Sequence, residues 1–310
     1  MSQNPFASNA QRAALYTHLE ETKGNAIRAE ASRCLDRTTH TLSKKNITDI
    51  CDTFGLPDDE ALLVLLPPLA ADLLSNPTIS DFFVGAVGRD RESGDFVLGA
   101  NAEVFGAHLG YTLHGEGFVA IRAYHLGMAL DRIAIGEAHP CGHCRQFLSE
   151  FAFARELRLV DPLGYSLTLG ELFPWPFDPA YLGETGAIGG TLYWPDLKWS
   201  DSAGSSALLE AGKRSYAPYS KAPSAVALCF DDGVELVAGT IESVAFNPTI
   251  SPAQAGIVAC LAAGRRLQDI RTVTLGTIAE GAVQYDQSTR HVFATAAPEA
   301  KIDLAEWRAS

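Results

Sequence analysis

HGEGFVAIRAYHLGMALDRIAIGEAHPCGHC, residues 114–144 of a 310-residue chain, is the stretch whose reading decides the fold. A helix is expected to start near Glu116 and run through Val119, Ile121 and Leu126. Ile133-Ala134-Ile135 reads as a short apolar strand, and a second helix should follow Cys144 through Phe147, Leu148 and Phe151. Upstream, Phe82 to Val87 and Phe96 to Ala100 are apolar runs on either side of the polar Arg89-Asp90-Arg91-Glu92-Ser93-Gly94-Asp95, a pattern that predicts a β-hairpin. Hairpin, helix, strand, helix is the signature of an α/β layer fold.

Further outward the chain changes character. Residues 1 to about 76 read as mostly helical, with Asn9 suited to cap a helix carrying Ala13, Leu15 and Leu19. A second helical segment begins near Asp58-Asp59-Glu60, and Pro67-Pro68 interrupt it. Leu163 to Ser206 is rich in Gly, Pro and aromatics and reads as a connection. From about residue 207 the chain looks like a worn second copy of its middle. Pro218-Tyr219-Ser220-Lys221 resembles the approach to Phe82, Glu242 sits near the place of Glu103, and Val273-Thr274-Leu275-Gly276 echoes Ile133-Ala134-Ile135-Gly136. The copy has no His-x-Glu and no Cys-x-x-Cys.

Composition narrows the class of partner. Hydrophobic residues make up 47% and charged residues 20%, which suits a chain that folds into packed domains. The net charge of −13 and the absence of a basic stripe disfavour nucleic acid and anionic membranes, and leave a small, weakly charged molecule as the better partner. The apolar run Ala61–Leu66 is too short to span a bilayer. Six cysteines are scattered rather than arrayed as a disulfide framework, and no signal-peptide core precedes Leu15, so a reducing cytoplasmic setting is expected.

The chemistry concentrates in His114-Gly115-Glu116 and Pro140-Cys141-Gly142-His143-Cys144. One imidazole and two thiolates suit Zn²⁺, and three protein ligands leave a tetrahedral position open for water. A Cys-x-x-Cys at a helix start turns both sulfurs to one point, and the helix N-terminus favours thiolate. Glu116 can reach that water without being a ligand. A Cys-x-x-Cys alone would equally suit a redox pair or half of a structural zinc site. His143 should point away from the shared metal point, and His108 and His125 read as surface or internally satisfied histidines. Cys34, Cys51, Cys229 and Cys260 read as small buried or partly buried residues.

The ordered pair of motifs matches the zinc deaminase signature. With Phe82-Phe83-Val84-Gly85-Ala86, Gly99-Ala100-Asn101-Ala102-Glu103, Tyr216-Ala217-Pro218-Tyr219-Ser220-Lys221 and Ala245-Phe246-Asn247-Pro248-Thr249, the chain resembles the two-domain, homodimeric cytidine deaminases from about residue 58 to its end. The resemblance implies a three-layer fold with a mixed sheet between helices, duplicated, behind a helical N-terminal segment. It implies a segment at 1–57, a catalytic domain at 58–185, and a linker with a non-catalytic domain at 186–310. It implies Zn²⁺ on His114, Cys141 and Cys144, Glu116 as the proton carrier, Phe82 against the pyrimidine, and Asn101-Ala102-Glu103 at the sugar. Without it, Phe82 reads as a core residue and Asn101 and Glu103 as turn residues. The implied reaction is hydrolysis of cytidine or 2′-deoxycytidine to the uridine and ammonia. A deaminase of another nucleoside, and a non-enzymatic protein with a structural zinc, are the alternatives. The chain departs from the family at Gly115 and Gly117, where Ala and a polar residue are usual, and at His139, where Thr is usual. The missing side chains suggest a roomier pocket that admits N4-substituted cytidines.

Overall fold

The computed structural model describes residues 7–136, 139–200, 204–279 and 281–309. Asn9 opens the first helix, α1 (Ala10–Cys34), by accepting the N–H groups of Gln11 and Arg12. A short strand β1 (Thr41–Leu42) and helix α2 (Lys44–Phe54) follow. The Asp58 segment divides into α3 (Asp59–Leu65) and α4 (Pro67–Leu74). The division falls at Pro67, which lacks an N–H and starts a helix more readily than it continues one.

The middle of the chain builds β2 (Gly85–Asp90), β3 (Phe96–Ala100), α5 (Gly115–Leu126), β4 (Leu130–Ile135), α6 (Gly142–Leu148), β5 (Arg158–Val160), β6 (Ser166–Thr168) and α7 (Leu169–Leu172). Its sheet runs β1-β3-β2-β4-β5-β6, antiparallel except for the parallel β4–β5 pair. Helices cover both faces of the β2–β3 hairpin. A Cβ on Gly85 would strike the Pro67 carbonyl of α4, whereas one on Gly88 would strike Val119 of α5. Those two positions point to opposite faces of one strand.

The rest of the chain repeats the plan with β7 (Lys198–Trp199), α8 (Ser206–Arg214), β8 (Ala225–Phe230), β9 (Glu235–Gly239), α9 (Pro252–Ala262), β10 (Ile270–Ile278), α10 (Asp286–Ala296) and β11 (Lys301–Arg308). This sheet runs β7-β11-β10-β8-β9, and its parallel pair is β10–β11. Gly85 faces Ala100 across the first hairpin as Ala225 faces Gly239 across the second. The chain is thus a duplicated α/β fold with mixed sheets between helices.

Two expectations need correction. The hairpin does not begin at Phe82. Its first strand starts at Gly85 and extends to Asp90, and Phe82 and Phe83 lie in the approach, after Asp81 at φ 53°. The 163–206 connection is not wholly irregular either, since β6 and β7 occupy edge positions of the two sheets.

Helices α5 and α9 pack against each other, and one hydrophobic core runs through both halves. This explains why Gly115 through Tyr124 is buried at every position. A helix enclosed by its own sheet and a partner helix has no solvent face to make polar.

Candidate active site

His114 is the N-cap of α5 and Cys141 the N-cap of α6, so two helix N-termini converge on one point. The ligating atoms of His114, Cys141 and Cys144 all lie within 4.8 Å of one another. His114 Nδ1 stands 3.5 Å from Cys144 Sγ. Zinc–nitrogen and zinc–sulfur bonds of about 2.1 and 2.3 Å at a tetrahedral angle require roughly that separation. The donor set and its spacing therefore fit the ion. His114 and Cys141 are exposed and Cys144 is buried, so the group has an open side.

The two thiols are pushed in opposite directions, Cys144 upward by its hydrogen bond to Cys141 and then by burial. The Cys141 thiol is pulled down to about 4, first by the hydrogen bond from the Cys144 side chain, with help from the backbone N–H groups of Cys144 and His143 and from His114, against the opposing effect of burial. The Cys144 N–H donates to Cys141 Sγ at 3.4 Å. Arg145 steadies the turn, with Nε donating to the Pro140 carbonyl at 2.8 Å and Nη1 to that of Leu172 at 3.0 Å.

Glu116 is 3% exposed and has the Cys144 side chain within hydrogen-bonding reach. Burial pushes its carboxyl above the usual range, against smaller opposing effects of its own backbone N–H, Cys144 and His114. A carboxyl so placed is within reach to take up and return a proton at the metal group.

The Asn101–Glu103 segment and Phe82 are tied together by hydrogen bonds. Ala102 and Leu113 exchange backbone hydrogen bonds at 2.9 and 2.8 Å, which lays the Asn101–Glu103 segment beside the approach to His114. Asn101 accepts the Val84 N–H at 2.9 Å and donates to the Phe82 carbonyl at 2.7 Å, fixing the backbone from which Phe82 projects. Phe82 itself is 53% exposed, so the reading of it as core does not hold. Glu103 accepts the N–H groups of Ile79 and Ser80 at 2.7 and 2.9 Å and the Ser80 hydroxyl at 2.5 Å. Burial pushes its carboxyl up, but these bonds and the nearby His114 hold it below the usual range.

The other histidines lie outside the ligand group. His143 Nε2 is 3.3 Å from the Asn247 carbonyl, and His139 is exposed beside Asp161. His125 is fully satisfied, with Nδ1 at the Ile121 carbonyl and Nε2 accepting the Gly239 N–H across the two halves. Sequence reasoning passed over Ser80 and Glu150. Ser80 had a signal, because Ser220 holds the equivalent place in the second copy, donating to Glu242 as Ser80 does to Glu103. Glu150 had none; its partners lie 66 to 94 residues away.

Residues 59–158 and residues 194–290 each match a family described as the cytidine and deoxycytidylate deaminase zinc-binding region. The chain is 34% identical over 285 residues to a cytidine deaminase of Vibrio atlanticus, covering 90% of this chain and 94% of that protein. It is 36% identical over 252 residues to a cytidine deaminase of Photobacterium profundum, covering 81% and 84%. A solved cytidine deaminase from Mycobacterium tuberculosis is similar at 31% identity and a TM-score of 0.34, spanning 39% of this chain and 98% of that one. With both halves matched and the similarity running almost end to end, the chain belongs to the cytidine deaminase family, in its duplicated-domain form.

Proposed function

We propose that the first half of this chain deaminates cytidine and 2′-deoxycytidine hydrolytically, and that the second half is a non-catalytic copy. The observation that carries the reading is a buried glutamate, Glu116, beside an open-sided set of one imidazole and two thiols. His114, Cys141 and Cys144 would hold the zinc, which would supply a water acidified toward ~7. Glu116 would take a proton from a water at the open side and deliver it to the ring nitrogen as the water oxygen adds to C4. It would then carry the proton of the new C4 hydroxyl to the exocyclic amine, so that the C4–N bond breaks as the C4 carbonyl forms and ammonia leaves the uridine product. A structural zinc site has no use for this carboxylate.

Phe82 presents a half-exposed ring for the pyrimidine, and Asn101, Ala102 and Glu103 form the sugar side. Glu103 is held ionised by its three donors, so it disfavours a substrate phosphate and favours a free nucleoside. Gly117 supports tolerance of N4-substituted cytidines, since a Cβ there would meet nothing within 4 Å. A division after residues 57 and 185 would leave one copy of the repeat on each side of the second boundary. A homodimer would cover the apolar surface of Phe82, Phe83, Phe105 and Leu109, all exposed in the single chain. A cytoplasmic setting suits two thiols that must stay reduced. No helix among the described residues is long and apolar enough to cross a membrane.

The test joins metal analysis to ammonia release over a nucleoside panel. Glu116→Ala is expected to keep its zinc and lose about 10²–10⁴-fold or more of kcat. Turnover near that of the unmodified protein would remove Glu116 from the reaction, and failure to release ammonia from any pyrimidine nucleoside would remove the function.

A further inference from the structure

The second half keeps the shape of a catalytic site after losing its ligands. Asn76 bridges to Ala102 and Ala102 to Leu113, as Tyr216 bridges to Ile241 and Ile241 to Ile250. One residue further on, Ser251 caps α9 where His114 caps α5. Tyr285 stands at the N-cap of α10 where Cys141 stands at that of α6, and Ser288 follows three residues later, as Cys144 does. Glu242 replaces Glu103 and keeps its partners, accepting the N–H groups of Tyr219 and Ser220 at 2.9 and 3.1 Å and the Ser220 hydroxyl.

Ser251, Tyr285, Ser288 and Glu242 all line one cavity of about 580 Å³. That volume lies within the usual range of small-molecule sites. Its walls carry Tyr219 and Phe246, ring centroids 6.2 Å apart, and Tyr111 from the catalytic half. Glu242 is 3% exposed, and its Oε1 receives the Ser220 hydroxyl alone among the described residues. A carboxylate oxygen has room for a second donor.

We infer that this cavity is a second, non-hydrolytic binding site for an uncharged nucleoside. The aromatic walls suit a planar base, and the spare acceptor capacity of Glu242 suits a sugar hydroxyl. The same carboxylate turns away a phosphorylated ligand. Nothing is turned over there, because Ser, Tyr and Ser replace the metal ligands and Ala253 stands in the place of Glu116. The choice of nucleoside as the ligand class rests on the function proposed above.

The experiment uses the full-length, zinc-loaded Glu116→Ala protein and cytidine, which that variant holds without consuming. Equilibrium dialysis is expected to show a second cytidine per chain, and adding Ser288→Leu should remove it. ¹⁹F spectra of 5-fluorocytidine give an independent count, with one bound resonance for each site, and they decide the matter should Ser288→Leu not fold. A single cytidine per chain, unchanged by Ser288→Leu, or a single bound resonance, overturns the inference. Ammonia release by the unmodified protein is measured alongside. Turnover with a single bound cytidine strikes the second site only, whereas no ammonia from cytidine strikes the function proposed for the first half.

Discussion

Gly117 is buried in the first turn of α5, yet a Cβ built on it would meet open space. Gly115, two residues earlier, is different: its Cβ would approach that of Ala86 to 3.2 Å. The vacancy beside Glu116 therefore belongs to Gly117. Replacing Gly117 with Gln should fill it and narrow the choice of substrate. The kcat/KM ratio of N4-methylcytidine to cytidine is expected to fall by about 10-fold or more, the scale at which a pocket discriminates small groups. An unchanged ratio, or rejection of every N4-substituted substrate by the unmodified protein, would sink the idea. The grouping of His114, Cys141 and Cys144 was legible because their spacing from two helix starts dictates where they point. Phe82 was not legible by composition, since an aromatic in an apolar run looks like core. Its exposure follows from backbone placement by Asn101, a contact 19 residues away that no local pattern encodes.

Elements were legible where periodicity was strong and blurred where one residue stops a strand or helix. The start of β2 is set by Gly85, whose missing Cβ lets the strand pass the first turn of α4; a Cβ there would lie 1.7 Å from the Pro67 carbonyl oxygen. That contact is with backbone and has no side chain to yield. Gly85→Ala should destabilise the fold by about 1–3 kcal/mol or more, as overpacked sites do, measured as a lowered urea midpoint; an unchanged midpoint would show that α4 gives way freely. The same layer is tied electrostatically at the start of α3. Burial pushes Asp59 up, but Lys44, Arg89 and Arg132 around it outweigh that and hold its carboxyl below the usual range. A carboxyl depressed in the folded state stabilises the fold above its unfolded value near 4, and that contribution is lost as pH falls through the folded value. Asp59→Asn should therefore lower stability at pH 7 and make less difference at an acid pH below the unfolded value near 4. Thermal melts at both pH values check the sign, and an equal loss at each would assign the effect to packing.

At the scale of the molecule, the duplication was legible in sequence but the junction between the copies was not. The halves share a hydrophobic core through α5 and α9, and one buried carboxylate joins them by directional bonds. Glu150 follows the zinc-ligand helix α6 and is fully buried. It accepts the Tyr216 hydroxyl at 2.9 Å, the Tyr219 hydroxyl at 2.5 Å and the Val244 N–H at 2.7 Å, all from the second half. Burial pushes its carboxyl up while these three donors pull it down. Removing the acceptor would leave three donors buried without a partner, at about 1–3 kcal/mol each before relaxation. Glu150→Ala is thus expected to cost on the order of 3 kcal/mol, and Glu150→Gln, which keeps an acceptor oxygen, distinctly less. Because α6 presents Cys141 and Cys144, the Ala variant should also give up zinc to a chelator faster than the Gln variant, with ligands and Glu116 untouched. If both variants melt like the unmodified protein and hold zinc equally well, the shared core and the other hydrogen bonds between the halves, such as that of His125 with Gly239, suffice, and the carboxylate is not what aligns the second half with the metal-binding helix.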